Sequence, residues 1–154
     1  MDEIDRKIAD MLQADGRATS TEIAAMVGVS VSTANERVRR LVSNGTIKDW
    51  RGVLDPEKVG AGLCVFVFLG LAYDGEAEAC EALRNCEEVL ELHHISGQHS
   101  YLMKVRVRDT GALQDFLQTS VKPLKAVLRT ETLLSLEALK ETTAVKMSAD
   151  PSES

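Results

Sequence analysis

No apolar run in the chain approaches the ~20 residues that a membrane-spanning helix needs; the longest covers residues 63–72. The chain opens Met1-Asp2-Glu3, with neither a basic leader nor an apolar core behind it, so no signal peptide and a cytoplasmic location are expected. Cysteine is sparse. Cys64, Cys80 and Cys86 form no CxxC pair and stand at no metal-ligand spacing, which reads as buried, reduced thiols. His93, His94 and His99 raise the question of a metal. His93 and His94 are adjacent, and on a strand adjacent side chains point to opposite faces, so they do not easily share one ion. No serine or cysteine sits in a recognisable nucleophile motif, and there is no glycine-rich phosphate loop. No catalytic residue, metal site or cofactor is therefore expected.

What is present is the composition of a soluble globular protein, 44% hydrophobic and 27% charged, in 154 residues that suffice for one domain or two small ones. The net charge of −6 is unevenly spread. Residues 1–53 hold eight basic and eight acidic side chains, whereas residues 54–154 hold ten and sixteen. Affinity for an anionic partner has to come from a local stripe in the neutral first third.

The stretch TSTEIAAMVGVSVSTANERVRRLVSNG (19–45) supplies such a stripe. Thr19 with Glu22 is a capping-box signature, after which Ile23, Ala24 and Val27 recur at helical spacing. Gly28 suits the left-handed backbone of a sharp turn, and Val29 can plug the space between two helices. Ser30 can cap a second helix that turns Val38, Leu41 and Val42 inward until Asn44-Gly45 stops it. This is a helix-turn-helix pattern, whose second helix can enter the DNA major groove. The candidate DNA-contacting residues on it are Ser30, Ser32, Thr33, Asn35, Glu36, Arg37, Arg39 and Arg40, with Lys48 and Arg51 beyond it. A basic face alone also fits a solvated helical hairpin in an unrelated bundle. Here it coincides with the turn chemistry, which favours DNA.

Around this motif the chain divides into four parts. Residues 1–53 form the helix-turn-helix domain, beginning with a helix over 2–16 that is capped by Asp2 and striped by Ile4, Ile8, Met11 and Leu12. Residues 45–54 read as a small wing or exit strand with Ile47 and Val53 inward, and Trp50 as a core or hinge anchor. Residues 54–62 are a Pro/Gly hinge, in which Pro56 can open one helical turn. Residues 63–140 then follow a strand–helix–strand–strand–helix–strand rhythm. The strands are 63–72, 89–95, 101–108 and 127–136; the helices are 74–85, with Ala77, Cys80, Ala82 and Leu83 as its buried stripe, and 110–120. That order is the βαββαβ ferredoxin-like sandwich, with both helices on one face and the other free for a partner subunit. Residues 141–154 read as a frayed tail. The fold class expected is α+β, a winged helix-turn-helix followed by a ferredoxin-like domain.

Five stretches in this order, IDRKIADMLQADGRAT (4–19), VSVSTANERVRRL (29–41), NGTIKDW (44–50), DPEKVG (55–60) and RTETLLSL (129–136), resemble the Lrp/AsnC ("feast/famine") transcriptional regulators over nearly the whole chain. The resemblance implies a regulator that binds double-stranded DNA at a pseudo-palindromic operator, dimerises through its C-terminal sheets and stacks dimers into tetramers or octamers. It also implies a small-molecule effector, often an amino acid, bound between dimers. In that family the hairpin between the second and third strands carries a Gly-Asp-aromatic-Asp-Tyr effector loop; the matching residues are Gly97, Gln98, His99, Ser100 and Tyr101, without either acid. Two other readings share parts of the pattern. One is a nucleoid-architectural DNA binder without effector. The other is an enzyme resembling the sirohaem decarboxylases, to which the three histidines would be relevant.

Overall fold

The computed structural model describes residues 1–148, which divide into two compact units, Met1–Gly52 with 140–148, and Val53–Leu139. In the first unit α1 spans Glu3–Ala14, α2 Ser20–Val27 and α3 Val31–Ser43. Each begins at the cap the sequence offers. Asp2 Oδ1 accepts from Asp5 N at 2.8 Å, and Ser30 Oγ accepts from Thr33 N at 3.2 Å. Thr19 and Glu22 close a reciprocal box in which Thr19 N donates to Glu22 Oε2 at 2.7 Å. The turn between α2 and α3 places Gly28 at φ +72°, a region that side chains with a Cβ enter only under strain. Ile8, Leu12, Ile23, Ala24, Ala34 and Leu41 form the buried core of this unit, with Val29, Val38 and Ile47 packed at its edge.

Two expectations for this unit are corrected. Val42 is exposed, because α3 turns Ala34 and Leu41 to the core and Val42 falls about 100° round the helix from Leu41. Residues 45–54 hold no strand. Ile47 is drawn inward by the bond from its N–H to Leu41 O at 2.9 Å, but Val53 is 95% exposed. Trp50 is half exposed and lies over Gly16. Residues 141–148 have no regular secondary structure, but Val145 is hydrogen-bonded to Gln13 of α1; the rest of the expected tail, 149–154, lies outside the described residues.

In the second unit Pro56 opens a single turn closed by Ala61 N to Pro56 O at 2.7 Å. The elements that follow are β1 Leu63–Leu71, α4 Glu76–Arg84, β2 Val89–His94, β3 Tyr101–Val107, α5 Thr110–Phe116 and β4 Val127–Leu134. Leu117–Val121 extends α5 as a wider π-type turn, with Lys122 N bonded to Leu117 O at 2.9 Å, rather than as the continuous helix expected. The sheet is antiparallel in the order β2-β3-β1-β4, the ferredoxin-like arrangement. Alternation assigns its two faces. Val65, Val67 and Leu69 of β1 with Met103, Val105 and Val107 of β3 bury against Leu83, Leu113, Phe116 and Val121. Phe66 and Phe68, with Leu102 and Leu133 in register beside them, face the other way. Ala79 and Leu83 are the buried residues of α4, and Ala77 is exposed, contrary to the stripe expected. Of the three thiols only Cys64 is buried; Cys80 and Cys86 are half-buried.

Leu83 is fully buried at the centre of this core. Leu83→Ala is expected to cost about 2–5 kcal/mol, read from the urea unfolding of the second unit. A loss under about half a kcal/mol would place the core elsewhere.

Candidate functional site

Asp5 stands at the centre of the helix-turn-helix unit. It belongs to the apolar stripe of α1 and is 4% exposed, the one buried charged residue among those described. Two guanidiniums from α3 meet its carboxylate. Arg37 Nη1 lies 3.0 Å from Oδ1 and Arg40 Nη2 lies 2.6 Å from Oδ2. Arg37 also reaches Asp2 Oδ2 at 2.6 Å. Its hydrogen bonds to Asp2 and then Asp5 stabilise the charged guanidinium and push its pKa up. Arg37, backed by the Asp5 N–H, in turn holds the Asp2 carboxyl below the usual aspartate range.

This network sets how α3 is turned. With Arg37 and Arg40 on the flank facing α1, the outward stripe at i, i+4, i+7, i+11 is Ser32, Glu36, Arg39 and Ser43, all exposed. The side chains of Glu36, Arg39 and Lys48 form no hydrogen bond or ion pair with another described residue. Asn35 points to α2, where its Oδ1 accepts from Ser20 Oγ. Arg51 Nε pairs with Asp49 Oδ2 at 2.6 Å. Ser30 Oγ lies 2.8 Å from Thr33 Oγ1 and 3.0 Å from Ser32 Oγ, a hydroxyl cluster at the N-terminus of α3, where backbone N–H groups and the helix dipole favour an anion such as a phosphate. The ten residues proposed from sequence thus separate. Ser32, Glu36, Arg39 and Lys48 are exposed, Ser30 and Thr33 share the cap of α3, Asn35 bonds α2, and Arg37, Arg40 and Arg51 are ion-paired within the unit.

Of the five loop residues, Gln98 and His99 meet the helix-free face of the sheet. Gly97 has φ +117°, and Ser100 N bonds Leu69 O at 3.0 Å, which anchors the loop to β1. The His99 ring lies 5.0 Å from that of Phe68, and its Nε2 is 3.1 Å from Glu131 Oε2. His99 Nδ1 is buried without a hydrogen-bond partner. Arg129 Nη2 donates to Gln98 O at 3.2 Å. Tyr101 departs to the helix-bearing face. There it stacks on His94 at 4.8 Å, donates to Glu76 Oε1 at 2.6 Å, and borders a shallow groove of about 410 Å³ with Cys80, Arg84 and Leu92. The bond to Glu76, followed by contact with Cys80, pushes the phenol pKa well up, so Tyr101 stays a neutral donor.

Sequence reasoning missed Asp5, Arg129 and Glu131. Asp5 had a signal: it lies three residues before Ile8 and seven before Leu12, on the buried stripe. Arg129 and Glu131 had none, since their nearness to the loop depends on the β1–β4 register that sets Phe68 opposite Glu131.

A helix-turn-helix unit joined to a βαββαβ unit defines a two-part DNA-binding regulator, and comparison with known proteins gives its family. Residues 1–42 match the AsnC-type helix-turn-helix domain, and residues 64–145 match the Lrp/AsnC ligand binding domain. The chain is 32% identical to the HTH-type transcriptional regulator FL11 of Pyrococcus horikoshii over 143 residues, 93% of this chain and 94% of that one. It is 37% identical to the leucine-responsive regulatory protein of Escherichia coli (strain K12) over 144 residues, 92% of this chain and 88% of that one. Among solved structures, a transcriptional regulator of Neisseria meningitidis in complex with L-Met is similar at TM-score 0.89 and 27% identity, covering 95% and 96% of the two chains. Escherichia coli AsnC is similar at 0.86 and 28%, covering 94% and 97%. The chain belongs to the Lrp/AsnC family of transcriptional regulators. These relatives are regulators rather than enzymes, which removes the decarboxylase reading.

Two predictions follow from this geometry. Arg39→Ala leaves the melting temperature unchanged and lowers the slope of log K against log [salt] for DNA by about one, whereas Arg37→Ala strips Asp5 and Asp2 of a partner and lowers the melting temperature by several degrees. The reverse pattern would mean that α3 presents its other flank. The depressed Asp2 pKa makes its contribution to folding present at neutral pH and lost as pH falls below the ordinary aspartate range toward the folded value. Acid unfolding of the first unit, followed by circular dichroism, should therefore be shallower in Asp2→Asn than in the unmodified protein.

Proposed function

We propose that the chain binds a pseudo-palindromic operator as a homodimer, each copy laying α3 in one of two successive major grooves about 10 bp apart. Direct contacts come from Ser30, Ser32, Thr33, Glu36, Arg39 and Lys48. Arg37 and Arg40 hold the helix, and they reach phosphates only with the part of each guanidinium left free by Asp5. Phe66, Phe68, Leu102 and Leu133 on the helix-free face support pairing of the second unit with another copy, and stacking of dimers into larger assemblies is consistent with this.

An α-amino acid bound at loop 97–101 tunes assembly or DNA affinity. The observation that supports this most is the pair of β4 side chains beside the loop. Family members supply carboxylates from the loop itself, and here those positions are Gln98 and Ser100. Glu131, at 3.1 Å from His99, returns a carboxylate for an ammonium group, and Arg129, bonded to Gln98 O, offers a guanidinium for a carboxylate. The two alternate along one strand on the same face, separated by about 7 Å, so their long side chains can converge on a zwitterion. The L-Met complex of the Neisseria relative and the leucine response in the name of the Escherichia coli relative point to the same ligand class. A second reading, an architectural DNA binder without effector, is favoured by the missing loop acids.

A thermal-shift screen against the twenty amino acids separates the two. A ligand at a hundredfold excess over its Kd stabilises the fold by about 2.7 kcal/mol. One or a few amino acids should raise the melting temperature, and Glu131→Gln should abolish the shift. A shift that survives Glu131→Gln would move the site away from β4, and silence across the panel would favour the architectural reading.

A further inference from the structure

Residues 140–148 belong to the first unit although they follow the second in sequence, so the chain leaves this unit after Gly52 and rejoins it at Lys140. The point of return is α1. Gln13 Nε2 donates to Val145 O at 3.1 Å and Gln13 Oε1 accepts from Val145 N at 2.7 Å, so one side-chain amide pairs both backbone groups of Val145, as a neighbouring strand would. Two turns earlier, Arg6 Nη1 donates to Ser148 O. The spacing of these anchors matches. Seven residues of helix rise about 10.5 Å, and three extended residues span about 10 Å, so the segment runs antiparallel to α1 along one flank. Met147, between the anchors, is the half-buried residue of 141–148, the others being exposed. That flank lies about a quarter turn from Asp5, through which α1 grips Arg37 and Arg40 of α3.

We propose that residues 140–148 are a clasp on α1 and that Gln13 is a positioning residue for the recognition helix. The clasp fixes α1, and α1 fixes α3 through Asp5. The inference rests on the reading of α3 as the helix that contacts DNA.

The test uses full-length Gln13→Ala, Val145→Pro (which removes the Val145 N–H) and their double variant. Each is measured on an operator duplex selected from a random-sequence pool and by amide exchange of the free protein. Each single variant should lower affinity about fivefold, from the loss of a hydrogen-bonded pair, with an unchanged salt slope because no phosphate contact is removed. Exchange in α3 should quicken while that in β1 and β3 stays as it was, and the double variant should be no worse than either single one. Unchanged affinity and α3 exchange in both singles would overturn the clasp. So would a loss confined to Val145→Pro, which would assign the effect to a tail contact other than Gln13. Arg39→Ala run alongside tests the underlying reading: if it leaves affinity and salt slope untouched, α3 is not the contacting helix, and α3 exchange alone then decides on the clasp.

Discussion

A carboxylate placed inside an apolar stripe has to be answered, and the first unit is arranged around that answer. Asp5 is 4% exposed and receives one guanidinium on each oxygen. Such a pair adds little net stability, because desolvation offsets much of its attraction, but leaving either charge alone is costly. Its effect is to select one arrangement. Only one rotation of α3 brings Arg37 and Arg40 together onto α1 while Ala34 and Leu41 face the core, and that rotation exposes Ser32, Glu36, Arg39 and Ser43 on the side away from the core. Two of the basic residues most readily taken for DNA contacts are thus ion-paired to α1, whereas Arg39 stays on the exposed stripe of the helix.

The second unit solves a different problem with the same economy of residues. Its helices cover one face of the four-stranded sheet, and the alternation of β1 and β3 leaves Phe66, Phe68 and Leu102 on the other. The hairpin loop before Tyr101 folds onto that second face rather than into solvent, because Ser100 bonds β1 while His99 and Gln98 meet β4. The loop and the open face are therefore one surface. A molecule that reorders the loop would be felt where another copy would pack, which gives ligand and assembly a common physical basis.

Local chemistry was legible in the sequence, and long-range geometry was not. Asp2, the Thr19–Glu22 box, Gly28 and Ser30 act where they were expected, since a cap or a left-handed turn is decided by residues three or four positions apart. The βαββαβ order followed from strand and helix periodicities in the same way. Val42, Val53 and Ala77 were misplaced because burial at the edge of a helix or in an irregular segment depends on what docks there, which no period encodes. The different surroundings of the arginines were hidden for a related reason. Arg37, Arg39 and Arg40 look alike in sequence, and only the packing of α1 against α3 separates them. Glu131 and Arg129 lie some thirty residues from the loop and come to it through strand register alone.

The most direct test of this arrangement is a double-mutant cycle between Asp5 and Arg40, with Asp5→Asn, Arg40→Gln and the double variant each measured for unfolding free energy and for affinity to a selected operator. If the pair aims the recognition helix, the two substitutions are coupled in both quantities, and Asp5→Asn weakens DNA binding although it removes a negative charge. If instead Asp5→Asn leaves stability intact and strengthens DNA binding, as the removal of a bystander anion would, Arg40 is a free DNA ligand and the aiming role of the buried carboxylate is wrong.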